Sequence, residues 1–230
     1  MMESTPLFDA SLIQPITLTL KACGTSLLLF ALVGIPLAWL CARHDCFASR
    51  CLMMVATLPL VLPPVALGYL LLLVLGIQGP IGALLYSLFG TRVIFSEGAV
   101  CLAAFVAGLP LVLRPIKIAF ESPALRELET VARTCGAHPL TVFWTVTLPC
   151  VRNAILAALL LGTARASGEV GITMMIGGNV SGRTNTLSLE IFNAVSRGDF
   201  DAATFLCIVL AAVAIALYVA LEVLRGRSTL

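Results

Sequence analysis

Arg165 and Glu169 stand four residues apart inside a long apolar stretch, so on a helix they share one face and can pair. A charge at mid-membrane costs about 2.5–3.5 kcal/mol on insertion scales, and an internal ion pair or a watery cavity would offset much of that. The chemistry open to these two groups is electrostatic: fixing helix packing, or flanking a solute path near its gate. Catalytic chemistry has no comparable candidates. His44 and His138 are far apart in sequence, and no His/Asp/Glu cluster or nucleophile elbow occurs. No Gly-x-x-x-x-Gly-Lys-Ser/Thr loop is present, so the chain is not expected to bind or hydrolyse ATP. The eight cysteines are scattered, without a CxxC pair matched by a second pair or by histidines, and read as small apolar residues rather than metal ligands.

Composition says where such charges must sit. The chain has 230 residues, 60% hydrophobic and 11% charged, with a mean hydropathy of +1.05. A soluble domain carries about 25% charged residues, so an integral membrane protein is expected. The net charge of +2 gives no reason to expect nucleic-acid binding. A bilayer core of about 30 Å takes about 20 apolar residues. The charge pattern predicts five helical spans, at about 17–42, 52–76, 96–118, 152–176 and 202–224, in a single all-α domain over 1–230. The first is too long for a signal-peptide core and lacks a basic segment ahead of it, so it is expected to be retained.

Residues 77–95 follow the break Gly76-Ile-Gln-Gly-Pro80 and are too short to cross. Ile81, Leu84, Leu85 and Leu88 fall on one helical face, which suits a surface-lying or re-entrant helix. Pro59, Pro63 and Pro64 should kink the second span, and a bent helix lining a pore accommodates the freed carbonyls. Gly162, Gly168 and Gly171 around the charged pair permit a bend or close helix approach. Pro59, Pro63, Pro64, Arg165, Glu169, Gly171 and Thr173 are therefore the pore or gate candidates. A basic cage holding a dianion tightly is not expected, because it would slow release.

With five spans the loops alternate sides. Arg43, Arg50, Arg114, Lys117, Arg126, Arg133, Arg152, Arg225 and Arg227 lie on one side; Arg92, Arg183 and Arg197 lie on the other. The side rich in Lys and Arg is cytoplasmic. That places the N-terminus outside, the C-terminus inside, 119–151 in the cytoplasm and 177–201 outside.

The cytoplasmic loop has structure of its own. Ser122-Pro123 reads as an N-cap and first helical residue. Leu125, Leu128, Val131, Ala132 and Cys135 recur at helical spacing, Glu129 and Arg133 are four apart, and Gly136 suits the left-handed position after a helix end. His138-Pro139 starts a second short helix through Phe143 and Trp144, expected to stop near Leu148-Pro149. A capped, amphipathic hairpin between spans predicts a docking element for a soluble partner.

Gly136 followed ten residues later by Val146-Thr-Leu-Pro149 resembles the cytoplasmic coupling loop of ABC-importer permeases. Where the general motif has Glu-Ala-Ala this chain has Thr130-Val-Ala132, its acid standing one place earlier at Glu129. The run Leu128-Glu-x-x-Ala-Arg-Thr-x-Gly-Ala137 is instead similar to the loop of molybdate permeases. Leu58-Pro-Leu-Val-Leu-Pro-Pro-Val-Ala-Leu-Gly-Tyr69, Arg165-Ala-Ser-Gly-Glu-Val-Gly171 and Gly178-Asn-Val-Ser-Gly-Arg-Thr-Asn-Thr-Leu187 resemble further segments of that family. Tungstate permeases are also similar around Met174-Met-Ile-Gly-Gly-Asn179. The resemblance covers about 15–225 and implies a type I ABC-importer permease of a bacterial plasma (inner) membrane, embedded in lipid and importing molybdate, with tungstate or sulfate as alternatives. It implies no cofactor, a homodimer with a second copy of the chain, an ATPase subunit on the cytoplasmic face and an oxyanion-binding protein outside. Leu125, Leu128, Glu129, Ala132, Arg133, Gly136, Ala137, Phe143, Leu148 and Pro149 would then meet the ATPase. A secondary transporter or channel would want an inverted repeat or several mid-span titratable groups, and only Glu169 is of that kind.

Overall fold

The computed structural model describes residues 10–226. Arg227, which enters the charge count above, and the first nine residues lie outside the described residues. Twelve α-helices and two π-helical turns make up the regular structure among the described residues, without a strand. The expectation of an all-helical chain therefore holds.

Helix α1 (Ala10–Leu29) passes through a π turn at Phe30–Gly34 into α2 (Ile35–Arg43), giving one apolar element over Ile13–Arg43. Next come α3 (Phe47–Val61) and α4 (Pro64–Leu75). The predicted kink in the second span is a full break here. Leu62 and Pro63 are extended, with ψ of 143° and 135°. Each precedes a proline, and proline disfavours helical geometry in the residue before it. Pro64 restarts the helix at its first position, and Pro59 stays inside α3. Helix α5 (Pro80–Phe89) is bent from α4, by 46° as measured over Pro64–Leu75 and Pro80–Leu88.

Helix α6 (Glu97–Phe120) is the central post, started by the Ser96 side chain accepting from Ala99 N–H at 3.2 Å. Its small buried residues Ala99, Ala103, Ala104, Ala107 and Gly108 let neighbours approach closely. Ala56 of α3 packs at the Val112–Phe120 end of α6, and Leu67 of α4 at the Ala99–Ala107 end. Residues 47–75 thus run along the whole of α6 in the opposite sense, despite their break.

The hairpin follows as α7 (Pro123–Thr134) and α8 (Pro139–Val142). Its second arm does not stop at Leu148-Pro149 as expected. It continues through a π turn, Phe143–Thr147, into α9 (Leu148–Ser167), one helical path over Pro139–Ser167. The Leu148 N–H reaches back to the Phe143 carbonyl, and that widened turn accommodates Pro149, which has no N–H to give. Gly168–Val170 then break the path before α10 (Gly171–Gly177).

The predicted outer loop 177–201 contains α11 (Leu187–Ser196), packed on α1 and on the last helix, α12 (Phe200–Gly226). Leu187 N–H donates to Thr19 Oγ1 at 3.0 Å, and Ser188 Oγ donates to the Ser167 carbonyl at 2.8 Å. Among the described residues four helices are long and apolar enough to cross a membrane, or five if α4 and α5 count as one bent span.

Candidate functional site: the hairpin and the broken fourth span

The hairpin turn is built by backbone bonds. Gly136 has φ +85°, Ala137 N–H donates to the Ala132 carbonyl at 3.1 Å, and Gly136 N–H donates to the Arg133 carbonyl at 3.0 Å. These are the two reversed bonds that close a helix through a left-handed residue. A Cβ at Gly136 would meet open space, so the requirement there is conformational. Ser122 opens α7 without a side-chain capping bond, and the His138 side chain accepts from Leu140 N–H at 3.4 Å.

The two faces of the hairpin differ. Leu125 is buried in the cluster that contains Val112, Ile116, Phe120 and Val151. Glu129, 4% exposed, accepts from the Arg43 guanidinium at the end of α2 and from the Thr147 hydroxyl in the π turn. Burial pushes the Glu129 carboxyl up, but the bonds from Arg43 and Thr147 and the charges of Arg43 and Arg133 leave it below its ordinary value. Phe143 is half-buried against Trp39, ring centroids 5.9 Å apart and edge-on. Leu125 and Glu129 thus face the chain's own core and root the hairpin. Leu148 at its base and Ala137 at its turn are half-buried, as is Ala132, while Arg133, Gly136 and Pro149 are exposed. The outward face carries Leu128, Val131, Leu140 and Trp144, each at least half exposed. Beside it a cavity of about 310 Å³ is lined by Arg43, Arg126, Glu129, Thr130 and Arg133.

At the break in the fourth span Arg165 Nη1 lies 2.6 Å from Glu169 Oε2. The other carboxylate oxygen accepts from Ile172 N–H at 2.8 Å, occupying a donor that the start of α10 would otherwise leave bare. Gly171 of α10 sits against α4: a Cβ there would be 2.7 Å from Pro64 Cβ and 3.0 Å from Val65 N. A Cβ at Gly68 would meet α10 as closely, 3.0 Å from Ile172 Cα. The structure therefore brings Pro64, Glu169 and Gly171 to one junction between two broken helices. Pro63 and Pro64 are exposed, Pro59 is half-buried, and Thr173 is buried inside the chain.

The tie between Arg43 and Glu129 had no signal in spacing, since 86 residues separate the partners. Nor had that between Lys21, at the edge of the first span, and Glu97 at the start of α6. The π turns were also unmarked, although a proline just after Thr147 is a hint of one.

A helical chain with an ion pair at a broken apolar span and a hairpin rooted on its core has the layout of a membrane-spanning protein. The family model described as "Binding-protein-dependent transport system inner membrane component" matches residues 34–228, and the chain belongs to that family of multi-pass membrane proteins. It is 39% identical over 183 residues to the molybdenum transport system permease protein ModB of Haemophilus influenzae, covering 80% of each chain. The Escherichia coli K12 protein of that name is 39% identical over 202 residues, covering 87% of this chain and 88% of its own. The sulfate transport system permease protein CysW of Synechocystis is 33% identical over 225 residues, covering 96% and 79%. The fold is similar to a chain in the crystal structure of a bacterial alginate ABC transporter in complex with an alginate pentasaccharide-bound periplasmic protein. That likeness has a TM-score of 0.74 at 21% identity and covers 95% of this chain and 80% of that one.

Proposed function

We propose that the chain is the membrane permease subunit of an ATP-driven oxyanion importer carrying molybdate. In this reading two copies form the pore, an ATPase subunit docks on the hairpin from the cytoplasm, and a binding protein delivers the anion outside. The N-terminus lies outside and the C-terminus inside, as nine Lys and Arg against three argue. The observation that carries the reading is the two-faced hairpin. Its inner face is tied through Glu129 to α2 and to the π turn that leads into α9, and its outer apolar face, Leu128, Val131, Leu140 and Trp144, is left for a partner. Molybdate rests on the similarity to permeases of that name, and the sulfate permease relative supports sulfate as the second choice.

The proposed mechanism is mechanical. ATP-driven closure of the ATPases shifts the hairpin, and the continuous path Pro139–Ser167 carries that shift to the Arg165–Glu169 junction. There the short helix α10 moves with α4, through the Gly171–Pro64 contact, between inward- and outward-facing arrangements. Arg165 and Glu169 hold the junction; Thr173 lies on α10, Pro63 in the break just ahead of α4, and Pro59 on α3 beyond that break.

Proteoliposomes holding the chain, its ATPase and its binding protein should accumulate molybdate only with ATP and all three components. Uptake by the chain alone, driven by an ion gradient, would replace this reading with a secondary transporter. Accumulation of sulfate in preference to molybdate would change the cargo and leave the class intact.

A further inference from the structure

At the end of α6 away from the hairpin lies an open cavity of about 530 Å³, lined by Tyr86, Thr91, Arg92, Phe95 and Arg183 among others, and by no acidic residue. Of the three arginines assigned to this side, Arg197 is bound to Glu190. Arg92 and Arg183 have no carboxylate partner among the described residues, and both line this one cavity. The cavity wall is held in an unusual conformation. Phe95 has φ +58°, rare for a residue with a side chain. Its N–H donates to the Ile176 carbonyl at 2.8 Å, and its ring presses on Gly178, where a Cβ would come within 2.4 Å of it. Backbone held in a sparsely populated region clusters at functional sites. The same contacts fix the cavity to the end of α10, the short helix of the proposed gate.

We propose that Arg92 and Arg183 form a receiving site for the tetrahedral oxyanion, where it rests between release from the binding protein and entry to the pore. The proposal rests on the oxyanion-permease reading and adds to it a place and a ligand set. Two guanidinium forks match a dianion in charge and in oxygen geometry, and the Tyr86 and Thr91 hydroxyls supply further donors in the same cavity. Both arginines are exposed and the cavity is open. The site binds weakly and exchanges quickly, as a transfer station must.

The test is equilibrium dialysis of the full chain, in lipid nanodiscs with its ATPase subunit and no binding protein, against radiolabelled molybdate. The parent should bind, and the paired variant Arg92→Gln/Arg183→Gln should bind about tenfold more weakly or worse. The paired lysine variant, which keeps the charge and loses the fork, should fall between them, with melting temperatures alike in all three. Parent-like binding by the glutamine pair overturns the site, as does a parent that binds neither molybdate nor sulfate. Sulfate held in place of molybdate, and lost in the glutamine pair, upholds the site and overturns molybdate as cargo. If the glutamine pair keeps parent-like anion binding and, in a separate pull-down, holds the binding protein more weakly than the parent does, the arginines belong to protein docking and the proposal is overturned.

Discussion

Glu129 and Glu169 are both carboxylates buried beside an arginine, yet one joins distant parts of the chain and the other serves only its own turn. Glu129 gathers Arg43 from the end of α2 and Thr147 from the π turn ahead of α9, so a single side chain ties α7 both to the first span and to the hairpin's second arm. Glu169 pairs with Arg165 one turn earlier and caps Ile172 three residues later. A long-range tie transmits force between elements; a local cap lets one helix end and another begin. In the proposed mechanism an Arg–Glu pair would thus stiffen one end of the lever and form the joint at the other.

Removing each acid separates the two roles. Glu129→Ala leaves Arg43 half-buried without its partner and should destabilise the chain by about 3 kcal/mol, the low end for a broken buried pair because Arg43 is partly exposed. ATP-driven uptake should fall further than stability alone explains, as read by thermal unfolding in detergent beside transport. Equal losses from Glu129→Ala and Glu169→Ala would erase the distinction. At the joint, Gly171→Ala drives a methyl into Pro64 and the Val65 backbone and should cost about 2 kcal/mol. Gly168→Ala, where nothing lies within reach of a Cβ, should stay within about 0.5 kcal/mol; a large loss there would refute the assigned contact.

Glu169→Gln keeps an oxygen for Ile172 N–H and loses the charge, so it should cost about 1 kcal/mol. Gly136→Ala should cost about 1 kcal/mol through its left-handed backbone, and Gly136→Leu should impair uptake while sparing membrane insertion. The smallest effect is in pH. Glu129 is held below its ordinary value, so its stabilisation is complete above the usual carboxylate range near about 4.3. It is lost as pH falls through the lowered native value. Glu129→Gln should flatten that acid limb.

These comparisons also mark what the sequence could carry. The pairing of Arg165 with Glu169 was legible because a helix fixes which residues face each other four places on. Gly136 was legible because its conformation is local. The Arg43–Glu129 tie was not, because it depends on how α2 and α7 meet after folding. The prolines predict a bend in the second span; two consecutive restrictions, on Leu62 and Pro63 before prolines, make it a full interruption. Helix α11 carries no comparable mark: ten residues are too few to span a membrane, and the sequence predicts only that 177–201 faces outward.

In the proposed assembly an ATPase on the cytoplasmic side covers the outer hairpin face, and the exposed Cys135 beside the turn can report it. With the other seven cysteines replaced, a membrane-impermeant maleimide should leave Cys135 untouched in intact cells. It should label Cys135 in inverted vesicles and be blocked there once the ATPase subunit is added. Labelling from outside intact cells, or labelling unchanged by the ATPase, would contradict the account.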